Sequence, residues 1–182
     1  FWQLKLTTNE LNNLEYNKED VLSCVTSNKY FDEGHIARIE FLKFLENKKD
    51  IPLKIFGNVE EMGFENYQGI LEPENKAEGI VPYKYYFMVE NNYEKDFITE
   101  KLWEPILCES LVFYYGCPNV TDYIDSDAFV LLDMNDFEKS YQTIKTAIKE
   151  DWWSQRIDKI KQEKNKLLNE MVFFPRLRKV IE

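Results

Sequence analysis

Arginine is nearly absent from this 182-residue chain: Arg38, Arg156, Arg176 and Arg178 stand against 19 lysines, and His35 is the single histidine. Acidic residues outnumber basic ones 33 to 23, and the net charge of −10 excludes a general affinity for nucleic acid or an anionic membrane surface. Cys24, Cys108 and Cys117 lack CxxC or Cys/His spacing, so neither a disulfide framework nor a zinc site is indicated and a reducing compartment fits. Glycine and proline, six of each, are too few for a low-complexity scaffold. No internal repeat, GxGxxG or GxxxxGK[ST] phosphate loop occurs. No apolar run approaches the roughly 18 residues of a membrane span, and no leader of charged then apolar residues opens the chain. Phe1 stands where a start Met would, before a polar, weakly periodic stretch, so the chain reads as a fragment or processed piece of something longer.

What is present is a core: 44% hydrophobic and 15% aromatic residues suit one packed domain with short connections. Val21–Ser27 is a buried-strand run, and Gly34–Asn47 repeats apolar residues at helical spacing. Leu53–Phe56, stopped by Gly57, reads as a second strand, and Phe64–Leu71 as an irregular extended piece. Tyr83–Val89, Leu111–Tyr115 and Ala128–Leu132 supply three more strands. Helices are expected through Phe97, Ile98, Leu102, Ile106 and Leu107, with Pro105 placed to kink it, then over Phe137–Ile148 and Trp152–Met171. Strands alternating with helices predict an α/β fold, a Rossmann-like, mostly parallel sheet flanked by helices. We divide the chain into an N-terminal extension or linker (1–20), the Rossmann-like domain (21–150) and a helical tail packing on it (151–182). Ligands of such sheets bind at the carboxyl ends of strands, which directs attention to the loops after Ser27, Val89 and Tyr115.

The densest chemistry lies between Tyr83 and Asn119. A buried strand delivers Glu90 and Asn91, and Thr99, Glu100 and Lys101 follow on the first turn of a helix. Unpaired N–H groups, the positive end of the helix dipole and a lysine together suit a diphosphate, and Glu100 could accept hydrogen bonds from ribose hydroxyls. The plainer alternative is that Glu and Lys there are solvated capping residues.

Strand-Glu-Asn, then Phe-Ile-Thr-Glu-Lys-Leu-Trp, then an apolar strand ending Tyr-Gly-Cys-Pro resembles the donor-binding signature of glycosyltransferase family 10, the α1,3/α1,4-fucosyltransferases. Ser27-Asn28 after a strand, Arg38 on the next helix, and Phe129 to Asp133 followed by Asp136-Phe137 extend the resemblance over most of Val21 to Ile148. It implies the C-terminal, nucleotide-sugar-binding half of a GT-B glycosyltransferase. Arg38 and Lys101 would then contact the diphosphate of GDP-fucose and Glu100 the ribose. Asn91 and Glu90 would line the sugar or nucleotide pocket, beside Ser27 and Asn28. The implied reaction is inverting transfer of fucose to a glycan or glycoprotein acceptor with no cofactor and no essential metal, fixed cations stabilising the departing GDP. The carboxylate base belongs to an N-terminal acceptor-binding half expected outside this chain. Glu90 is the one carboxylate here that could approach the sugar, with a donor-binding role preferred. The family usually has Phe at Val89 and Tyr at Phe97, so another nucleotide hexose stays open, and the missing acceptor half keeps open a binding module without transfer activity.

Other features read as structural. His35 suits a surface or capping role, with phosphate contact as the alternative, and Cys108 and Trp103 suit packing. Cys117 shows no neighbouring base, and the Asn119-Val120-Thr121 sequon is taken as chance. The basic stretch from Arg156 through Arg178 reads as a solvated helix face, or else a docking tail. The compartment stays open: soluble and cytoplasmic is favoured, with a Golgi lumen possible if the parent chain carries an anchor.

Overall fold

The computed structural model describes residues 3–170. Five strands, β1 (Glu19–Ser27), β2 (Leu53–Asn58), β3 (Tyr83–Val89), β4 (Leu111–Tyr115) and β5 (Phe129–Leu131), form one sheet in the order β2-β1-β3-β4-β5. Every pairing is parallel. Parallel strands covered on both faces should be apolar along nearly their whole length; β4 is, and β3 is apart from the half-buried Lys84: Tyr85, Phe87, Val89, Leu111, Val112 and Phe113 are fully buried.

The chain leaves β1 in one direction to β2 and returns past β1 to β3, so the two halves of the sheet wind opposite ways from the β1/β3 boundary. At such a switch point neighbouring connections diverge and leave a crevice at the carboxyl edge. Helix α2 (Glu33–Lys48) follows β1 and α3 (Glu100–Leu107) follows β3, so both helices begin at that crevice. Helix α4 (Phe137–Lys149) shares a face with α2 through the Phe41–Phe137 and Phe44–Tyr141 ring contacts, at 5.1 and 6.2 Å. Helix α5 (Trp152–Glu170) packs with α3 on the other face.

Several expectations are corrected. Strand β2 runs through Gly57, whose φ of 108° and close approach to the Thr26 carbonyl explain the glycine, rather than stopping there. Phe97 and Ile98 precede α3 instead of forming its first turn, because Thr99 caps the helix, and α3 continues through Pro105 to Leu107. The α5 segment is no simple solvated face: Ile160, Leu167 and Leu168 are buried, and Lys164 is buried against Glu109 at 2.6 Å. The indole N–H of Trp153 donates to the Glu109 carbonyl, tying the start of α5 to the same point. Ahead of β1, Leu4 and Leu11 are buried in the core and Thr7 caps a short helix, α1 (Thr8–Asn12). Arg176 and Arg178 lie outside the described residues.

Candidate donor site at the sheet switch point

Two helix starts and one strand exit are bonded together at the crevice. The Gly34 N–H, in the first turn of α2, donates to the Asn91 carbonyl at 3.1 Å. A Cβ on Gly34 would lie 1.9 Å from the Glu90 carbonyl oxygen, so only glycine lets α2 approach this closely. One turn further, buried Arg38 donates from Nη2 to the Asn91 side-chain oxygen at 3.1 Å, while its Nε has no partner among the described residues.

From the β3 side, Glu90 is turned inward and almost fully buried. Its carboxylate accepts the Thr99 N–H at 2.9 Å and the Thr99 hydroxyl at 2.8 Å. The Thr99 oxygen also accepts the backbone N–H of Lys101 at 3.3 Å, closing the N-terminus of α3. The Lys101 ammonium lies 3.6 Å from Glu90 and 3.7 Å from Glu100, and 3.2 Å from the Thr99 hydroxyl. Glu90 therefore holds α3 and its lysine in place through bonds that already occupy both its oxygens. Ser27 and Asn28 sit half-buried at the end of β1 and make no side-chain hydrogen bond among the described residues.

His35 is buried in α2 rather than on the surface, because the turn that carries it is pinned to Asn91. Burial first, and the Arg38 guanidinium next, hold its pKa below the usual histidine value, with Asp32 opposing and Lys29 and Lys101 adding to the depression. Its Nδ1 lies 3.3 Å from Asp32. The crevice thus brings Arg38 and Lys101 together, with Lys29 beside His35, and sets Glu90, Glu100 and Asp32 against them. Burial, and no resolved base, also fits Cys117 as structural: its thiol lies 3.1 Å from the Asn119 side-chain oxygen. Asn119 in turn bonds Asp96 at 2.7 and 3.0 Å, lacing the exit of β4 to the loop before α3.

The model of the glycosyltransferase family 10 (fucosyltransferase) C-terminal region matches residues 16–151. The chain belongs to this family. Within it, the GDP-fucose protein O-fucosyltransferase 3 of Danio rerio is 33% identical over 75 residues, 40% of this chain and 16% of that protein. The Homo sapiens protein of the same name is 38% identical over 53 residues, 29% of this chain and 11% of that protein. A solved α1,3-fucosyltransferase with GDP-fucose superposes with a TM-score of 0.62 at 22% identity, over 78% of this chain and 38% of that one. TarM superposes at 0.54 and 13% identity, over 86% of this chain and 35% of TarM. The chain therefore spans a small part of its curated relatives and well under half of these solved structures. The parallel α/β fold flanked by helices is that of the C-terminal half of a GT-B glycosyltransferase.

Of the residues expected to bind donor, the fold brings Arg38, Asn91, Glu90, Thr99 and Lys101 into one bonded cluster, with Glu100 beside Lys101. Gly34 joins them as the residue that sets the approach of α2; its mark in the sequence is a glycine inside the first turn of a helix, which costs stability and is kept where backbone must approach backbone.

Proposed function

We propose that this family 10 chain is the donor-binding half of a fucosyltransferase that takes GDP-fucose and passes fucose, with inversion, to a glycan or glycoprotein acceptor. The observation that carries the reading is the convergence of Arg38 and Lys101, from two different helices, on the β1/β3 switch point. Both are held by short contacts to Asn91 and Thr99, so their charges are pre-set for a diphosphate and need not reorganise as charge builds on the departing GDP. In this reading the N–H groups of the first α3 turn add to that stabilisation, Glu100 takes the ribose hydroxyls, and Ser27 and Asn28 face the donor from β1. The cations do the work a metal does at other phosphates, so no cofactor is required. The base that deprotonates the acceptor hydroxyl belongs to an acceptor-binding half beyond these residues, because Glu90 is committed to Thr99. Among the described residues no helix is long and apolar enough to cross a membrane.

Calorimetric titration of the chain with GDP, GDP-fucose, UDP and UDP-glucose in EDTA tests the reading. The guanosine ligands should bind and the uridine ligands should not. Replacing Arg38 or Lys101 by Ala should each weaken GDP by about 1.5–3 kcal/mol, the range for a hydrogen bond to a charged group. Unchanged GDP affinity in both variants refutes the site; preference for UDP keeps the fold and changes the sugar.

A further inference from the structure

His35 is the only histidine of the chain, and the donor site as described makes no use of it. It lies one turn before Arg38 on α2, and each of the two is only 5% exposed. Polar side chains withdrawn from water normally have their hydrogen bonds made. Two nitrogens here do not: Nδ1 of His35 and Nε of Arg38 have no hydrogen-bond partner among the described residues. The imidazole is fixed by the Phe31 ring, 4.7 Å away, and by the α2 turn that Gly34 pins to Asn91.

The charges around the ring come from every element that meets it. Asp32, in the loop before α2, sets its carboxylate 3.3 Å from Nδ1. Lys29 in the same loop, Arg38 on α2 and Lys101 on α3 all oppose a proton on the ring. Lys101 is itself set against Glu90 at the exit of β3 and against Glu100, at 3.6 and 3.7 Å. With burial added, these cations outweigh Asp32 and the ring is neutral at neutral pH. Arg38 and Lys101 are also the two residues whose charges are assigned to a diphosphate. A diphosphate between them cancels the repulsion that keeps the imidazole neutral and adds an attraction of its own. Asp32 is then in place to accept from the Nδ1–H of the imidazolium. A histidine that only fills the space beneath α2 would titrate at one midpoint, with or without ligand.

We propose that His35 is a further donor-binding residue, a third cation beside Arg38 and Lys101 that is created by proton uptake when the diphosphate of a nucleotide sugar binds and is balanced by Asp32. The proposal rests on the donor reading above. By linkage, affinity rises as pH falls between the free and bound midpoints, about tenfold for each pH unit that separates them. The test uses this chain with GDP-fucose, because both phosphates of a nucleotide sugar are esterified, whereas the terminal phosphate of GDP itself titrates near about pH 6. With a single histidine, the ring C–H signals in a proton NMR pH titration have one owner. Their midpoint should lie below about 6.5 in the free chain and move up when the chain is saturated with GDP-fucose. Calorimetry in two buffers of different ionisation enthalpy should read the matching proton uptake near about pH 6. From about pH 7.5 to 5.5 the parent should gain affinity severalfold, and His35→Gln should abolish both the uptake and the gain. An unchanged midpoint on a chain that binds GDP-fucose overturns the proposal and leaves the donor reading standing, and so does proton uptake that survives in His35→Gln. No binding of GDP-fucose at any pH removes the donor reading, and the proposal with it.

Discussion

Gly34 carries more of the site than any charged residue, because it sets where α2 begins relative to β3. Its neighbour across the contact is backbone, the Glu90 carbonyl 1.9 Å from an added Cβ, so nothing flexible can yield. Gly34→Ala should therefore push the first turn of α2 off Asn91, cost about 1–3 kcal/mol as overpacking does, and lower GDP affinity in step as Arg38 moves with the turn. Urea unfolding and GDP titration on the same variant check both halves; lost stability with intact GDP affinity would show that Arg38 is positioned independently of this contact. At this scale the sequence was legible where chemistry is local. Asn91, Glu100 and Lys101 stand within one short segment of sequence and Arg38 is singled out by the resemblance to family 10, whereas the burial of His35 depends on a contact to residue 91 that no window around residue 35 contains.

Among the elements, α3 is the shortest helix with a part in the site, and eight residues make a marginal helix without tertiary help. Its start is fixed by Thr99, which caps the helix and satisfies the buried Glu90 at once. Thr99→Ala should cost about 1 kcal/mol for the lost cap and about 1–3 kcal/mol more for the carboxylate left with a missing donor, while Thr99→Ser should stay near the parent; thermal unfolding of the pair separates hydroxyl from methyl. The long-range half of this arrangement explains why Phe97 and Ile98 looked helical: their spacing is apolar-periodic, but the cap residue is chosen by Glu90 from another element. Tyr83–Val89 and Leu111–Tyr115 were legible to the residue, since strands buried on both faces read as near-continuous apolar runs, interrupted here only by Lys84. Helix α5 was readable as a helix but not in its packing, because lysine is seldom buried. Lys164 is, and removing one partner of a buried pair leaves the other uncompensated. Lys164→Ala should destabilise by about 3 kcal/mol, the low end of that class because Lys161 also lies 3.9 Å from Glu109. Lys164→Met with Glu109→Gln should recover much of the loss in urea unfolding.

For the whole molecule, an excess of acidic residues coexists with a crevice where Arg38 and Lys101 meet, and the response of stability to alkaline pH is governed by neither. It is set by buried groups far from the donor. Lys18, entering β1, donates to the Val81 and Tyr83 carbonyls at 2.6 and 3.1 Å and to the Ser110 hydroxyl at 3.2 Å, with no carboxylate among these partners. Burial pulls its pKa down to about 8 from the usual 10.5. Between those values the unfolded chain holds a proton that the folded chain has released, so stability rises with pH in that window, and below it Lys18 adds no pH dependence. Cys24 and Cys108 act in the opposite sense. Burial pushes both thiols up to about 12 from 9, so above pH 9 the unfolded chain loses protons that the folded chain keeps, and stability falls. The midpoint urea concentration should thus climb from pH 8 to about 9 and decline beyond it. Lys18→Met should be less stable throughout, with two carbonyls left short of a donor, and should lose the climb while keeping the decline; a climb that survives in that variant assigns it to another group.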